Sequence, residues 1–395
     1  MRFEFASPAR IVFGDGTLRE VAGIAAPLGR RALIACGCLP DLSQTLVERL
    51  ADLGKPIRSW LTGVGVESSV LPIEGEPSLV AIREGLRRAE EDGCDLVIAI
   101  GGGSALDAGK AISCLLSNGG DPLDYVEVIG KGKPITKPSL PFIAIPTTAG
   151  TGSEVTCNAV LSSTEHMMKV SLRSHFIFPR VALIDPELTY GLPPALTAST
   201  GMDALTQVIE PYVSNTANPL TDAICLEGIR RGAGALRYAY HNGADKFARE
   251  EMAIVSLLGG MALANAKLGA VHGFAAVLGG MFGGPHGAIC ARLLPVVVSV
   301  NLKALSQRAA GGPVLERYAV VARLLSGNPA STAADAVTWL EGLSRDLSIP
   351  PLREYGLKTK DFPTIVTHAA KASSMKGNPI QLTPGELIEI LERAL

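Results

Sequence analysis

Three things are missing from these 395 residues. There is no excess of basic charge: 36 Lys and Arg stand against 38 Asp and Glu, for a formal net charge of −2. A nucleic-acid or membrane-surface partner would call for a basic patch or a basic amphipathic helix, so neither is expected. There is no apolar run of about 18 residues free of a charge or a Gly/Pro break, so no membrane span is expected. The opening Met-Arg-Phe-Glu-Phe-Ala-Ser-Pro does not read as a signal peptide. There is also no Cys-x-x-Cys pair. The seven cysteines are scattered and odd in number, and Cys36 and Cys38 stand too close for an ordinary disulfide. Free thiols in a reducing cytoplasm are the expectation. Histidine is scarce as well, with six residues, which makes the placement of two of them informative.

What is present is apolar material, 47% of the chain, enough for two domains with substantial cores. Up to about residue 187, short apolar runs alternate with helical patterns. Arg31–Cys36, Asp95–Ile100, Pro141–Pro146 and Arg180–Asp185 read as buried strands. Ser43 to Leu53 and Ser78 to Asp92 read as helices, and Ile11–Gly16 suits an early hairpin or an edge strand. This alternation predicts a Rossmann-like α/β domain over residues 1–187, with a mostly parallel sheet covered on both faces. From 188 to 395 the texture is Ala- and Leu-rich and predicts an all-α domain. Pro193-Pro194 opens one helix there; Asp203–Ser214, Pro219–Tyr240 and Asp245–Lys267 read as others. Thr383, Pro384 and Glu386 mark a capped final helix. No repeat or low-complexity segment is seen.

Two loops carry small residues at strand ends. In Gly101-Gly-Gly-Ser104 consecutive glycines let the backbone approach a pyrophosphate, and the helix beginning there offers free N–H groups, with Ser104 suited to the N-cap. The spacing to Lys110 is wrong for a P-loop. Pro146-Thr-Thr-Ala-Gly-Thr-Gly-Ser-Glu-Val-Thr156 is rich in hydroxyls that could hydrogen-bond a polar ligand. Two such loops on neighbouring strands form the crevice where α/β sheets bind nucleotides. Each loop taken singly also reads as a plain turn or helix cap.

In the second half, Asp203 and Gln207 stand four apart on one helical face, and His272 and His286 flank a glycine-broken stretch. A carboxylate and two imidazoles make a competent Lewis-acid site for Zn²⁺ or Fe²⁺. The same residues also read as hydrogen-bonded core histidines, an N-capping Asp and a solvated Gln. Spacing does not choose between these.

The motifs together do more. Gly-Gly-Gly-Ser-Ala-Leu-Asp-Ala-Gly-Lys, Pro-Thr-Thr-Ala-Gly-Thr-Gly-Ser-Glu-Val-Thr, Gly-Met-Asp-Ala-Leu-Thr-Gln and Val-His-Gly…Pro-His-Gly follow in order along the chain. In this the chain resembles the iron-containing (group III) alcohol dehydrogenases, over nearly its whole length. The resemblance implies an oxidoreductase that interconverts an alcohol with an aldehyde or ketone by hydride transfer with NAD(P). It implies that Gly102, Gly103 and Ser104 hold the pyrophosphate, with Asp107 nearby. Thr147, Thr148 and Thr151 would line the path to the nicotinamide, with Asn158 and Lys169 near its ribose. One divalent ion, Fe or Zn, would be held by Asp203, Gln207, His272 and His286. A homodimer is implied on the same basis.

The chain departs from the family's pattern at three places. Gln207 stands where the usual ligand is His, which weakens the expected metal site. Ala276 stands where many members carry a further His, so proton relay would fall to the ribose hydroxyls, Lys169 or water, and a bulkier substrate would fit. Gly37 stands where NAD-preferring members place an Asp, which would admit NADP. Glu76, expected near the same ribose, opposes that and tips the expectation to NAD. The alternatives are a maleylacetate-type reductase, for which Arg173 and His175 are weak candidate carboxylate binders; a lyase or cyclase of the dehydroquinate-synthase kind, which shares the architecture the resemblance implies but fits the motif wording poorly; and a catalytically impaired NAD(P)-binding homologue.

Overall fold

A computed structural model of the chain describes residues 2–38, 54–163, 165–166 and 168–395. The helix expected over Ser43 to Leu53 lies outside the described residues. By contacts the chain divides into two compact units, Ala6–Thr148 with Gly152–Leu192, and Pro193–Leu395 with the short segments Met1–Phe5 and Ala149–Thr151. The expected boundary near residue 187 falls within the turn Pro186–Thr189. Leu188 in that turn is buried in the core beneath the sheet, and the chain stays with the first unit as far as Leu192.

The first unit is built on β1 (Arg10–Phe13), β2 (Arg31–Cys38), β3 (Glu67–Glu74), β4 (Leu96–Gly101), β5 (Phe142–Pro146) and β8 (Val181–Ile184). They form a six-stranded sheet in the order β1-β8-β5-β4-β2-β3, and every pairing in it is parallel. Side chains alternate across a strand. Thus Leu33, Ala35, Val97, Ala99 and Ala144 feed one core layer, and Ala32, Ile34, Ile98, Ile100 and Ile145 feed the other. Both faces are covered, so the strands read as continuous apolar runs rather than alternating ones. Of the two readings of Ile11–Gly16, the edge strand holds, because β1 pairs in parallel with β8. An antiparallel hairpin of β6 (Asn158–Ser163) and β7 (Met168–Arg173) was not anticipated. Its signal in the sequence is in β7, where apolar Met168, Val170 and Leu172 alternate with Lys169, Ser171 and Arg173.

The sheet order places a reversal between β2 and β4. From β2 the chain steps outward to β3, then returns to the other side of β2. The carboxyl ends of strands at such a reversal are where α/β sheets leave a crevice. Register pairs Gly101 with Pro146, so the glycine loop and the hydroxyl loop leave the sheet side by side.

The second unit is helical, with one continuous core. Helices Pro194–Val213, Pro219–His241, Lys246–Asn265, Ala270–Phe282 and His286–Arg308 surround the candidate ligands. The first runs unbroken from Pro194, so the helix opened by Pro193-Pro194 and the one expected from Asp203 are a single element. The final helix Pro384–Ala394 carries the expected capping box of Thr383 and Glu386. Among the described residues one helix, His286–Arg308, is long and apolar enough to cross a membrane by composition; 83% of its apolar window is buried within the protein, as in a core helix.

Helix Gly103–Asn118 packs on the sheet through Gly109, where a Cβ would lie 2.6 Å from Phe142 and 2.7 Å from Ala99. Gly109→Ala should destabilise the fold by about 1–3 kcal/mol through overpacking, despite the better helix propensity of Ala. Urea unfolding of the two proteins measures this.

Candidate functional site

On helix Pro194–Val213, Asp203, Gln207 and Glu210 occupy one face, all three nearly fully buried. Helix Ala270–Phe282 brings His272 to them from its first turn. Helix His286–Arg308 begins at His286, after Gly283 in a left-handed conformation (φ 69°), and carries Cys290 one turn on. His272 Nε2 lies 3.3 Å and His286 Nε2 lies 3.8 Å from Asp203 Oδ1. Cys290 Sγ lies 3.6 Å from His286 Nε2. One potential ligand atom from each of Asp203, His272, His286 and Cys290 falls within 4.8 Å of the others.

Glu210 orders this arrangement. Its Oε1 accepts from the Val271 backbone N–H at 2.7 Å, and its Oε2 lies 2.7 Å from His272 Nδ1. The carboxylate thus satisfies a free N–H at the helix start and occupies one imidazole nitrogen, leaving Nε2 toward Asp203. Asn378 Oδ1 accepts from the neighbouring Ala270 N–H at 3.2 Å and is itself held by Asn301. Gly269 is required here, since a Cβ would stand 2.7 Å from Glu210 Oε1.

The pocket attracts positive charge. Burial disfavours the His272 imidazolium, yet the Cys290 sulfur, Asp203 and Glu210 hold its pKa well above the ordinary value. His286 is raised in the same way, against its burial, by Cys290 and Asp203. The Asp203 carboxyl, also against burial, is drawn below the usual range by His286 and His272. Three buried atoms in this cluster, Asp203 Oδ1, Gln207 Oε1 and His272 Nε2, make no well-aligned hydrogen bond among the described residues; the first and third face each other at 3.3 Å only as an ion pair, when the ring is protonated. Orphaned buried acceptors are costly. A dication bound between them would satisfy all three, so the donor set fits a metal ion.

In the first unit, Gly101 adopts φ +152°, and a Cβ there would meet Ala105 at 2.7 Å and the Gly37 backbone at 3.0 Å. Gly37 is correspondingly tight, with a Cβ falling 3.2 Å from Ala105 and Gly101. Its lack of a side chain therefore serves packing of the glycine loop as well as any cofactor preference. Helix Gly103–Asn118 takes Gly102 as its N-cap, without a side-chain bond. Ser104 is not the cap, because the helix begins at Gly103, one residue before it. The backbone amides of Gly103 and Ser104 stand in the free first turn. Thr147 Oγ1 is buried without a partner among the described residues, a polar atom suited to a cofactor oxygen. Thr148 lies close to Gly102. Thr151 groups with the second unit.

Asp107 proves to be occupied. It accepts from Ser153 Oγ at 2.5 Å, Val160 N–H at 2.9 Å and Lys110 Nζ at 3.1 Å. Lys110, fully buried, also donates to Thr156 Oγ1 at 2.8 Å and the Asn158 carbonyl at 2.7 Å. Asp107 and Lys110 thus tie the glycine helix to the hydroxyl loop and to β6. Glu76 is not an isolated carboxylate: Lys169 Nζ donates to it at 2.8 Å, which offsets the charge expected to repel a 2′-phosphate. The sequence alone assigns no role to Glu210 or Cys290, and it gives Lys110 no part beyond excluding a P-loop. The spacing of seven from Asp203 and of four from His286 would have placed the first two on the ligand faces. Glu154 was missed too; it is buried, and burial pushes its carboxyl up to about 7.

Comparison with known proteins agrees with the motifs. Residues 8–186 match the family described as iron-containing alcohol dehydrogenase, and residues 197–395 match the Fe-containing alcohol dehydrogenase family, C-terminal. Alcohol dehydrogenase 4 of Saccharomyces cerevisiae is 36% identical over 392 residues, covering 99% of this chain and 98% of its own length. The NAD-dependent methanol dehydrogenase of Bacillus methanolicus is 34% identical over 399 residues, covering 99% of each chain. The crystal structure of a 1,3-propanediol oxidoreductase superposes with a TM-score of 0.90 at 35% identity, covering 100% of both chains.

Two substitutions probe the local physics. Glu210→Gln should weaken Zn²⁺ binding by about 10- to 100-fold, because the group that orients His272 loses its charge; calorimetric titration measures it. Glu154 has a folded-state pKa of about 7, above the ordinary 4.5, so the folded state binds more protons and stability falls as pH rises between those values. Glu154→Gln should flatten that slope and be the more stable protein above pH 7, as read by thermal melts across the range.

Proposed function

The chain belongs to the iron-containing alcohol dehydrogenase family, and from that premise we propose how its residues divide the work. It is an NAD-dependent oxidoreductase that interconverts an alcohol with an aldehyde or ketone. The observation that carries our reading of the site is the cluster of buried, unpartnered donors at Asp203, Gln207 and His272. Asp203, His272 and His286, with Gln207 beside them, hold one divalent ion, iron or zinc. When bound, the ion supplies Lewis acidity and the nicotinamide supplies the hydride donor or acceptor.

The residues present do the rest. Glu210 keeps His272 Nδ1 engaged, so the ring cannot turn Nε2 away from Asp203. Gly102, Gly103 and Ser104 bind the pyrophosphate through the first turn of their helix. Thr147, Thr148 and Thr151 contribute hydroxyls toward the nicotinamide, with Asn158 at its ribose and Gly37 at the adenosine ribose; Lys169 and Glu76, paired at 2.8 Å, act together at one ribose rather than at the two separately. Asp107 and Lys110 act from behind by holding these loops in place. One turn beyond His272 stands Ala276, which is exposed and carries no exchangeable proton. Proton movement then falls to Lys169 Nζ or water, and the missing imidazole leaves room for substrates larger than ethanol. Residues 1–187 thus serve the dinucleotide and residues 188–395 the ion and substrate. A homodimer and a cytoplasmic location are part of the proposal on family resemblance, and light scattering tests the former.

Oxidation of NADH and NADPH should be followed against aldehydes and ketones of graded size, with and without added Fe²⁺ or Zn²⁺. We expect metal-dependent turnover, NADH over NADPH, and activity extending to bulky aldehydes. Turnover confined to ethanol-sized compounds would overturn the role given to Ala276. Preference for an oxo-diacid would favour a maleylacetate-type reductase, and no turnover at any metal level would mark an impaired homologue.

A further inference from the structure

We infer that Cys290 is a ligand of the ion, supplying a thiolate to a site made of Asp203, His272, His286 and Cys290. This rests on the reading of Asp203, His272 and His286 as a dication site. Three observations support it. Cys290 is fully buried, and helical periodicity sets it one turn beyond His286 on the same face. Its sulfur lies 3.6 Å from His286 Nε2 and belongs to the group of four potential ligand atoms within 4.8 Å of one another. The unpartnered Asp203 Oδ1 and His272 Nε2 belong to the same group.

The chemistry of the donors favours sulfur over the carboxamide. Gln207 offers a neutral oxygen, a poor donor to a transition metal beside imidazole. Its Oε1 is buried without a hydrogen-bond partner among the described residues, so beside Asp203, His272, His286 and Cys290 it is the weakest of the candidate ligands. A thiolate brings a formal charge that, with the Asp203 carboxylate, neutralises a dication between two neutral imidazoles. On binding, the thiol and any protonated imidazole release their protons to solvent, and the sulfur and ring-nitrogen lone pairs form the new bonds. A donor set of one oxygen, two nitrogens and one sulfur is suited to zinc, and the soft thiolate favours zinc over manganese.

Cobalt substitution reads this directly. Metal-free protein titrated with Co²⁺ should develop a near-ultraviolet sulfur-to-cobalt charge-transfer band together with visible d–d bands. Cys290→Ser should abolish the charge-transfer band and weaken Zn²⁺ binding at least about tenfold. Adding Gln207→His to that variant should restore affinity without restoring the band. Cobalt binding to the wild type without a charge-transfer band would overturn the role of Cys290 and leave the ion site standing. No binding of Co²⁺ or Zn²⁺ by calorimetry would overturn both. Because Cys290 is buried and its variant could misfold, X-ray absorption of the zinc-loaded wild type asks the same question. A sulfur scatterer beside zinc supports the proposal, and nitrogen and oxygen alone overturn it.

Discussion

Within the helical unit, the Glu210 carboxylate sits among apolar side chains and is spent on two partners, the Val271 N–H and the His272 ring. A buried charge is tolerable only when it is hydrogen-bonded, and here the bonding is also what aims the imidazole. Glu210 stands on the helix of Asp203 and Gln207 and caps the helix of His272, so one side chain couples the placement of both elements. Gly269, Asn378 and Asn301 exist around it to make room and to satisfy the adjacent N–H. The donors that remain without partners are then the ones facing inward.

The sheet unit relies on an analogous device. Lys110 has no access to water and spends three hydrogen bonds on Asp107, Thr156 and the Asn158 carbonyl. Asp107 in turn reaches Ser153 and Val160. A fully satisfied buried network is rigid, whereas a partly satisfied one is costly. It pins the loop following β5 and the start of the hairpin to the helix that follows the glycines. The glycine turn is free of side chains because Gly37, Gly101 and Ala105 occupy nearly the same space.

Around Asp203, the composition of the cluster follows from packing rather than from local sequence. At position 207 the chain has a neutral carboxamide whose Oε1 is buried with no hydrogen-bond partner among the described residues. The Cys290 thiol, on helix His286–Arg308, lies 3.6 Å from His286 Nε2. Nothing in the order of motifs along the chain displays this, because Asp203 and Cys290 are far apart in sequence and come together only through the packing of their helices.

Much was legible in the sequence because it is local. Continuous apolar runs marked strands covered on both faces, and 3.6-residue periodicity marked the helices. The spacing of four set Asp203 and Gln207 on one face, and Thr383 with Glu386 announced the last cap. The glycine and hydroxyl loops stood out because only small residues permit close backbone approach. The partners of these groups were not legible. That Glu210 would meet His272 across 62 residues, that Lys110 would be buried, that Glu76 would be paired with Lys169, and that Cys290 would join the histidines depend on how distant segments pack. Periodicity tells which face of an element is buried, but only the tertiary structure decides what that face meets, because contact distances arise from the mutual placement of elements and not from any one of them.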